Sequence, residues 1–144
     1  MIKRDIVAKR LEVMAARVAH LRSLQARSAE EFRQESEVRY AAERLLQTAI
    51  QSMLDVGAHV LAALGDTEWD EYRQIPTRLS AHGIIDDSTV STLQEMSAMR
   101  NILVHQYVEV DPLKVHDVLQ TRLDDFDRFA EAVVRFMERE EQSP

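Results

Sequence analysis

An all-α fold follows from three features of the 144-residue sequence. Gly and Pro are scarce, at three each, whereas strands joined by tight turns consume both. Ala, Leu, Arg, Glu and Gln are abundant, and all are good helix formers. Apolar residues recur at three- and four-residue spacing over long stretches, the period of an amphipathic helix. The expected architecture is an up-down bundle of four to five helices within a single domain spanning 1–144.

The first helix is expected from about Lys3 to Arg33, with Val7, Leu11, Met14, Val18, Leu21, Gln25 and Phe32 on one side. A second runs from Ser36 to Leu64 with Leu46, Ala49, Ile50, Met53, Val60, Leu61 and Leu64 inward, and Gly65-Asp66 stops it. A weaker third helix spans Trp69–His82. Pro76 either opens it or kinks it, and Gly83 ends it. Asp86-Asp87-Ser88 caps a fourth helix from Ser88 to His105. A break follows at Tyr107–Asp111. Asp111-Pro112 then starts a last helix to about Glu138, with Val115, Leu119, Phe126, Phe129, Val133 and Met137 inward and a frayed tail at Glu140–Pro144.

Composition excludes several function classes. There is no cysteine, so no disulfide or thiolate metal site. No stretch approaches the roughly 20 apolar residues of a membrane span, and the start lacks the apolar run of a signal peptide, so a cytoplasmic protein is expected. Net charge is −7, which disfavours broad nucleic-acid binding and confines any RNA contact to a local patch. Residues 1–29 hold seven Lys/Arg against two Asp/Glu, most simply a solvated helix face.

The fourth helix breaks its own pattern. At 100° per residue with Leu93 at 0°, Val104, Met96 and Leu103 fall at about 20°, 300° and 280°, and Arg100 at about 340°, inside the apolar arc. A guanidinium there requires a partner, an interface or a cleft. Asn101 and His105 share the adjacent edge, and Tyr107 follows where the helix runs out. The second helix repeats the anomaly: with Leu46 at 0°, Arg39 lies near 20° and Glu43 near 60°. Glu43 is the expected partner of Arg39, or of Arg100 across helices. The same residues also suit a polar lock on bundle register with no chemistry, and the pattern alone leaves both readings open. Asp55 and His59, four apart on the polar side of their helix, read as surface residues or as residues that support the site from behind, rather than as metal ligands.

Arg100-Asn101-Ile-Leu-Val-His105-Gln-Tyr107 resembles the Arg-Asn-x-x-x-His-x-Tyr motif of HepT-type proteins of the HEPN superfamily. Arg39-Tyr-Ala-Ala-Glu43-Arg44-Leu-Leu-Gln47, Asp55 with His59, and Gly83-Ile-Ile-Asp resemble other parts of that family. The resemblance implies a homodimeric, metal-independent RNA endonuclease with no cofactor, the toxin of a type VII-like HEPN/MNT toxin–antitoxin pair. Arg100 and His105 would be catalytic, with Asn101, Glu43 and Arg39 supporting. RNA, either tRNA or mRNA, would be cut by attack of its 2′-OH. A minimal nucleotidyltransferase antitoxin would transfer AMP to Tyr107. Arg100 and His105 lie about 140° apart on a straight helix, so the shared cleft of a dimer is expected to combine them. The competing expectation is a non-catalytic helical module that binds such a nucleotidyltransferase.

Overall fold

The computed structural model describes residues 2–105 and 110–142. These form α1 (Arg4–Ser23), α2 (Ala29–Gln34), α3 (Ser36–Ala63), a 3₁₀ turn (Tyr72–Gln74), α4 (Ile75–Ala81), α5 (Asp87–Val104), α6 (Pro112–Thr121) and α7 (Leu123–Gln142). The all-helical class stands, but two of the five expected helices are each divided.

The first division lies between Ser23 and Ala29. Ser28 caps α2: its hydroxyl accepts from the Glu31 amide, and the Glu31 carboxylate accepts from the Ser28 amide. Gln25 belongs to the intervening turn, where it donates to the Leu119 carbonyl at 2.8 Å and its own carbonyl accepts from Gln120 at 2.9 Å. These bonds hold the turn against α6. The second division falls at Arg122, which leaves the helical region at φ −120° and ψ −4° and reaches Glu95 on α5 at 2.7 Å. Its cause is tertiary, since no Gly or Pro marks the spot. The tail is helical through Gln142, four residues beyond the expected end at Glu138.

The remaining boundaries follow the sequence signals, except that the third expected helix starts at Ile75, after the 3₁₀ turn, and not at Trp69. Gly65 and Gly83 end α3 and α4 at φ 75° and 72°, a region that side chains with a Cβ rarely enter. Pro76 sits in the first turn of α4, where its missing N–H costs nothing. Asp86 caps α5 by accepting from the Thr89 amide, and Asp111 caps α6 by accepting from the Leu113 amide.

Ion pairs fix the directions of the long helices. Arg10 lies 3.8 Å from Asp55, so α3 runs against α1. Arg22 reaches Asp124 and Asp127, while Arg4 pairs with Glu141, so α7 also runs against α1. Between them Phe32, Leu46, Ile50, Met53, Phe126 and Phe129 are fully buried, each removing roughly 1.5–3 kcal/mol of apolar surface from water. Gly57 lets α4 approach closely: a Cβ there would meet Ile75 Cγ2 at 2.7 Å. Among the described residues no helix is long and apolar enough to cross a membrane.

Candidate functional site at the end of helix α5

Helix α5 buries Leu93, Met96, Ser97, Met99 and Leu103. Arg100 shares their arc and is half-buried, as its wheel position requires. Its partners differ from those expected. Arg100 Nε donates to Gln51 Oε1 on α3 at 2.8 Å, and Nη1 donates to Asn101 Oδ1 at 3.0 Å. The guanidinium lies over the Tyr72 ring, 4.8 Å from its centroid. Among the described residues Arg100 forms no ion pair. Two amide oxygens and a ring face therefore hold the cation without neutralising it.

A second layer fixes Gln51. Its Nε2 donates to Asp55 Oδ1 at 2.8 Å and approaches the Tyr72 hydroxyl at 3.5 Å. Asp55 in turn lies beside Arg10. Asp55 is thus half-buried and orients Gln51, the supporting role rather than the surface one of the two expected for it. His59 is also half-buried, and its Nε2 has no hydrogen-bond partner. Burial first, then Arg10 and Lys3, lowers its pKa and favours the neutral ring. No group of three or more His, Asp or Glu among the described residues could hold a metal ion.

Arg39 and Glu43 stand apart from Arg100. They precede Gln51 on α3 by roughly 18 and 12 Å of helix axis. The Arg39 guanidinium donates to the Phe32 and Arg33 carbonyls at 3.2 and 3.0 Å, capping the end of α2. It also lies over the Tyr40 ring at 5.3 Å. Among the described residues Glu43 forms no ion pair with either arginine, which corrects the expected pairing. Burial raises its pKa, and the more distant charge of Arg39 opposes that rise.

His105 also departs from expectation. Helix α5 ends at Val104, and His105 is its C-cap in an extended conformation, φ −81° and ψ 91°. The 140° separation computed for a straight helix therefore does not govern where the imidazole points. His105 and Asn101 line one open groove of about 610 Å3 together with Trp69, Asp70, Glu71, Tyr72 and Arg73. Tyr72, the ring beneath Arg100, is part of that wall. One chain thus places Asn101 and His105 along one groove, with Arg100 over the Tyr72 ring of its wall, and Gln51, Tyr72, Trp69 and Asp55 are contributors that helical periodicity did not single out. Tyr107, the expected AMP acceptor, lies outside the described residues.

Comparison with known proteins shows the family and the fold. The family model described as Ribonuclease HepT-like matches residues 14–133. The tRNA nuclease HepT of Aphanizomenon flos-aquae is 24% identical over 132 residues, covering 92% of this chain and 90% of that protein. A putative RNase of Archaeoglobus fulgidus is 36% identical over 66 residues, covering 46% of this chain and 49% of that protein. Among solved structures, the tri-AMPylated Shewanella oneidensis HEPN toxin in complex with MNT antitoxin superposes with a TM-score of 0.83 at 21% identity, covering 91% of this chain and 98% of that one. YutE of Bacillus subtilis, a cytosolic protein of unknown function, gives 0.83 at 19% identity, covering 96% and 93%. With a family match over most of its length and an all-helical fold, this chain belongs to the HepT-like ribonuclease family.

Proposed function

We propose that the chain is the toxin of a toxin–antitoxin pair and cuts RNA without a metal, at the groove between Arg100 and His105. The observation that carries this reading is the uncompensated cation. Among the described residues Arg100 is held by Gln51, Asn101 and Tyr72, all uncharged, which leaves its charge available to a phosphate. An acidic chain needs such a local feature to engage RNA at all.

In this mechanism the substrate's 2′-oxygen attacks the adjacent phosphorus and expels the 5′-oxygen, leaving a 2′,3′-cyclic phosphate. His105 transfers the protons, since imidazole exchanges them near neutrality. Arg100 offsets the charge that builds on the phosphoryl oxygens. Asn101 fixes the fork through its accepted hydrogen bond. Arg39 supports the site indirectly by holding the α2–α3 end, with Glu43 one turn further along α3. A homodimer would bring both copies of Arg100 and His105 into one composite site at its interface. The exposed apolar side chains Ile102 and Val104 on α5 and Leu113 on α6 favour a covered face there. The antitoxin would be a nucleotidyltransferase that attaches AMP to Tyr107, two residues after His105, and the added negative charge would repel RNA phosphate. The S. oneidensis toxin, AMPylated and bound to MNT antitoxin, supports this partner. The chain would act in the cytoplasm, on tRNA or mRNA.

The test is cleavage of tRNA and mRNA by purified protein in excess chelator. Wild type should leave cyclic phosphate ends. His105→Ala and Arg100→Ala should each lower kcat by about 10²–10³-fold, with an unchanged helical spectrum. Equal cleavage by His105→Ala would refute the assignment. The net charge of −7 favours a second reading, a module that only binds its nucleotidyltransferase. No cleavage by wild type at low salt would select it.

A further inference from the structure

We infer that the groove beside His105 is a nucleobase pocket that selects bases bearing an exocyclic amino group. The inference rests on the ribonuclease reading for its source of bases, and it names what that site recognises beyond phosphate. At about 610 Å3 the groove falls within the roughly 300–1,000 Å3 of small-ligand clefts. Its chemistry differs from that of a phosphate site. Trp69 and Tyr72 form a stacked pair, with centroids 6.3 Å apart and planes at 28°. Tyr72 carries the Arg100 guanidinium over its ring, which leaves Trp69 as the stacking surface for a ligand. Trp69 is half-buried and packs against the core, so the platform is rigid.

The polar lining sets the preference. Glu71 is engaged by Arg73 Nε at 2.7 Å. The Asp70 carboxylate accepts no hydrogen bond from any described residue, while its backbone amide donates to Gln74 at 2.6 Å and fixes the loop. An exposed carboxylate repels phosphate but accepts readily from N–H groups. Adenine, cytosine and guanine present an amino group, and uracil does not. Asn101 also lines the groove, and with its Oδ1 accepting from Arg100 the group it has to offer a ligand is its amide nitrogen, a donor. An acceptor, a donor and an aromatic face therefore converge beside His105, while Arg100 stands ready for the neighbouring phosphate. Base and phosphate are assigned to different parts of one groove.

The chain's single tryptophan makes this directly testable. The fluorescence of wild-type Trp69 is titrated with AMP, CMP and UMP, and with 2′-O-methyl tetranucleotides that cannot be cut. AMP and CMP should quench saturably, with UMP at least about fivefold weaker. Quenching by both sets places a free base in the pocket. Quenching by the tetranucleotides alone, with the same order of bases, makes an RNA strand its source. Asp70→Asn, at an exposed position that folding tolerates, should bring CMP and UMP within about twofold of each other. No saturable quenching by either set, equal affinity for all bases, or an unchanged preference in Asp70→Asn overturns the inference. A parallel cleavage assay on the same preparation separates the two ideas. Quenching without cleavage removes the ribonuclease reading and keeps the pocket, and cleavage without quenching does the reverse.

Discussion

Two polar clusters flank the segment between α3 and α5, and they treat an arginine in opposite ways. Near the end of α3, Asp66 is buried and takes Arg78 at 2.8 Å, His82 at 2.8 Å and the Glu68 amide at 3.0 Å. There the guanidinium is neutralised and the cluster ties α4 to the loop after α3. At the end of α5, Arg100 receives only amide oxygens and a ring face. The first cluster satisfies itself. The second keeps a full positive charge at the rim of a groove. A buried or half-buried ion pair is weak evidence for function, because pairing alone explains it. An arginine on an apolar arc without a carboxylate is stronger evidence, because among the described residues no ion pair offsets its charge.

The sharpest way to break this contrast is to make the second cluster resemble the first. Gln51→Glu keeps the shape and puts a carboxylate against Arg100 Nε. At near-surface dielectric such a pair interacts by about 4 kcal/mol at 4 Å, of which solvent and side-chain entropy return the larger part. The cation would then compete poorly for phosphate. Because Asp55 would then face a carboxylate in place of the Gln51 amide, the change is made together with Asp55→Asn, and the expected outcome is a fall in kcat/KM of at least about tenfold with an unchanged helical spectrum. Unchanged kinetics would mean that the uncompensated charge is incidental.

A smaller effect is expected at the ring. Tyr72→Leu removes the cation–π contact, which is worth roughly 0.5–1 kcal/mol at a partly exposed site. That corresponds to about two- to fivefold in kcat/KM, and Tyr72→Phe should restore most of it. If Phe restores nothing, the hydroxyl beside Gln51 carries the effect instead of the ring face.

Much of this was readable in the chain, and the exceptions have physical causes. The arc of α5 exposes Arg100 as an anomaly because the apolar positions are local to one helix. Its partners Gln51 and Tyr72 are not local: Gln51 is 49 residues away and reaches Arg100 only when α3 packs on α5. Glu43 looked like a partner because i, i+4 spacing permits the pair, but the α2 carbonyls draw Arg39 away. The wheel misjudged His105 because it assumes a helix that ends one residue earlier. The α1–α2 break was legible in Ser28-x-x-Glu31, a capping box. The α6–α7 break was not, since Arg122 turns toward a residue on another helix.

The smallest expected effect on catalysis lies at the first cluster, and it sharpens the comparison from the other side. Asp66→Asn should leave kcat within about twofold, because Asp66 touches neither the groove nor Arg100. Its consequence is acid stability. The Glu68 amide, then His82 and Arg78, hold the Asp66 carboxyl down to about 2, against an ordinary 3.8. A depressed folded-state pKa stabilises the native chain above the unfolded value, and that contribution disappears as pH falls through the folded one. Wild-type stability should therefore decline between about pH 4 and pH 2 through this group, and Asp66→Asn should lack that component. Parallel denaturant titrations across this range, with kcat measured at neutral pH, check both halves. A large loss of kcat in a folded Asp66→Asn protein would show that the two clusters are coupled through the Trp69–Gln74 segment, and the division into a structural and a functional arginine would fall.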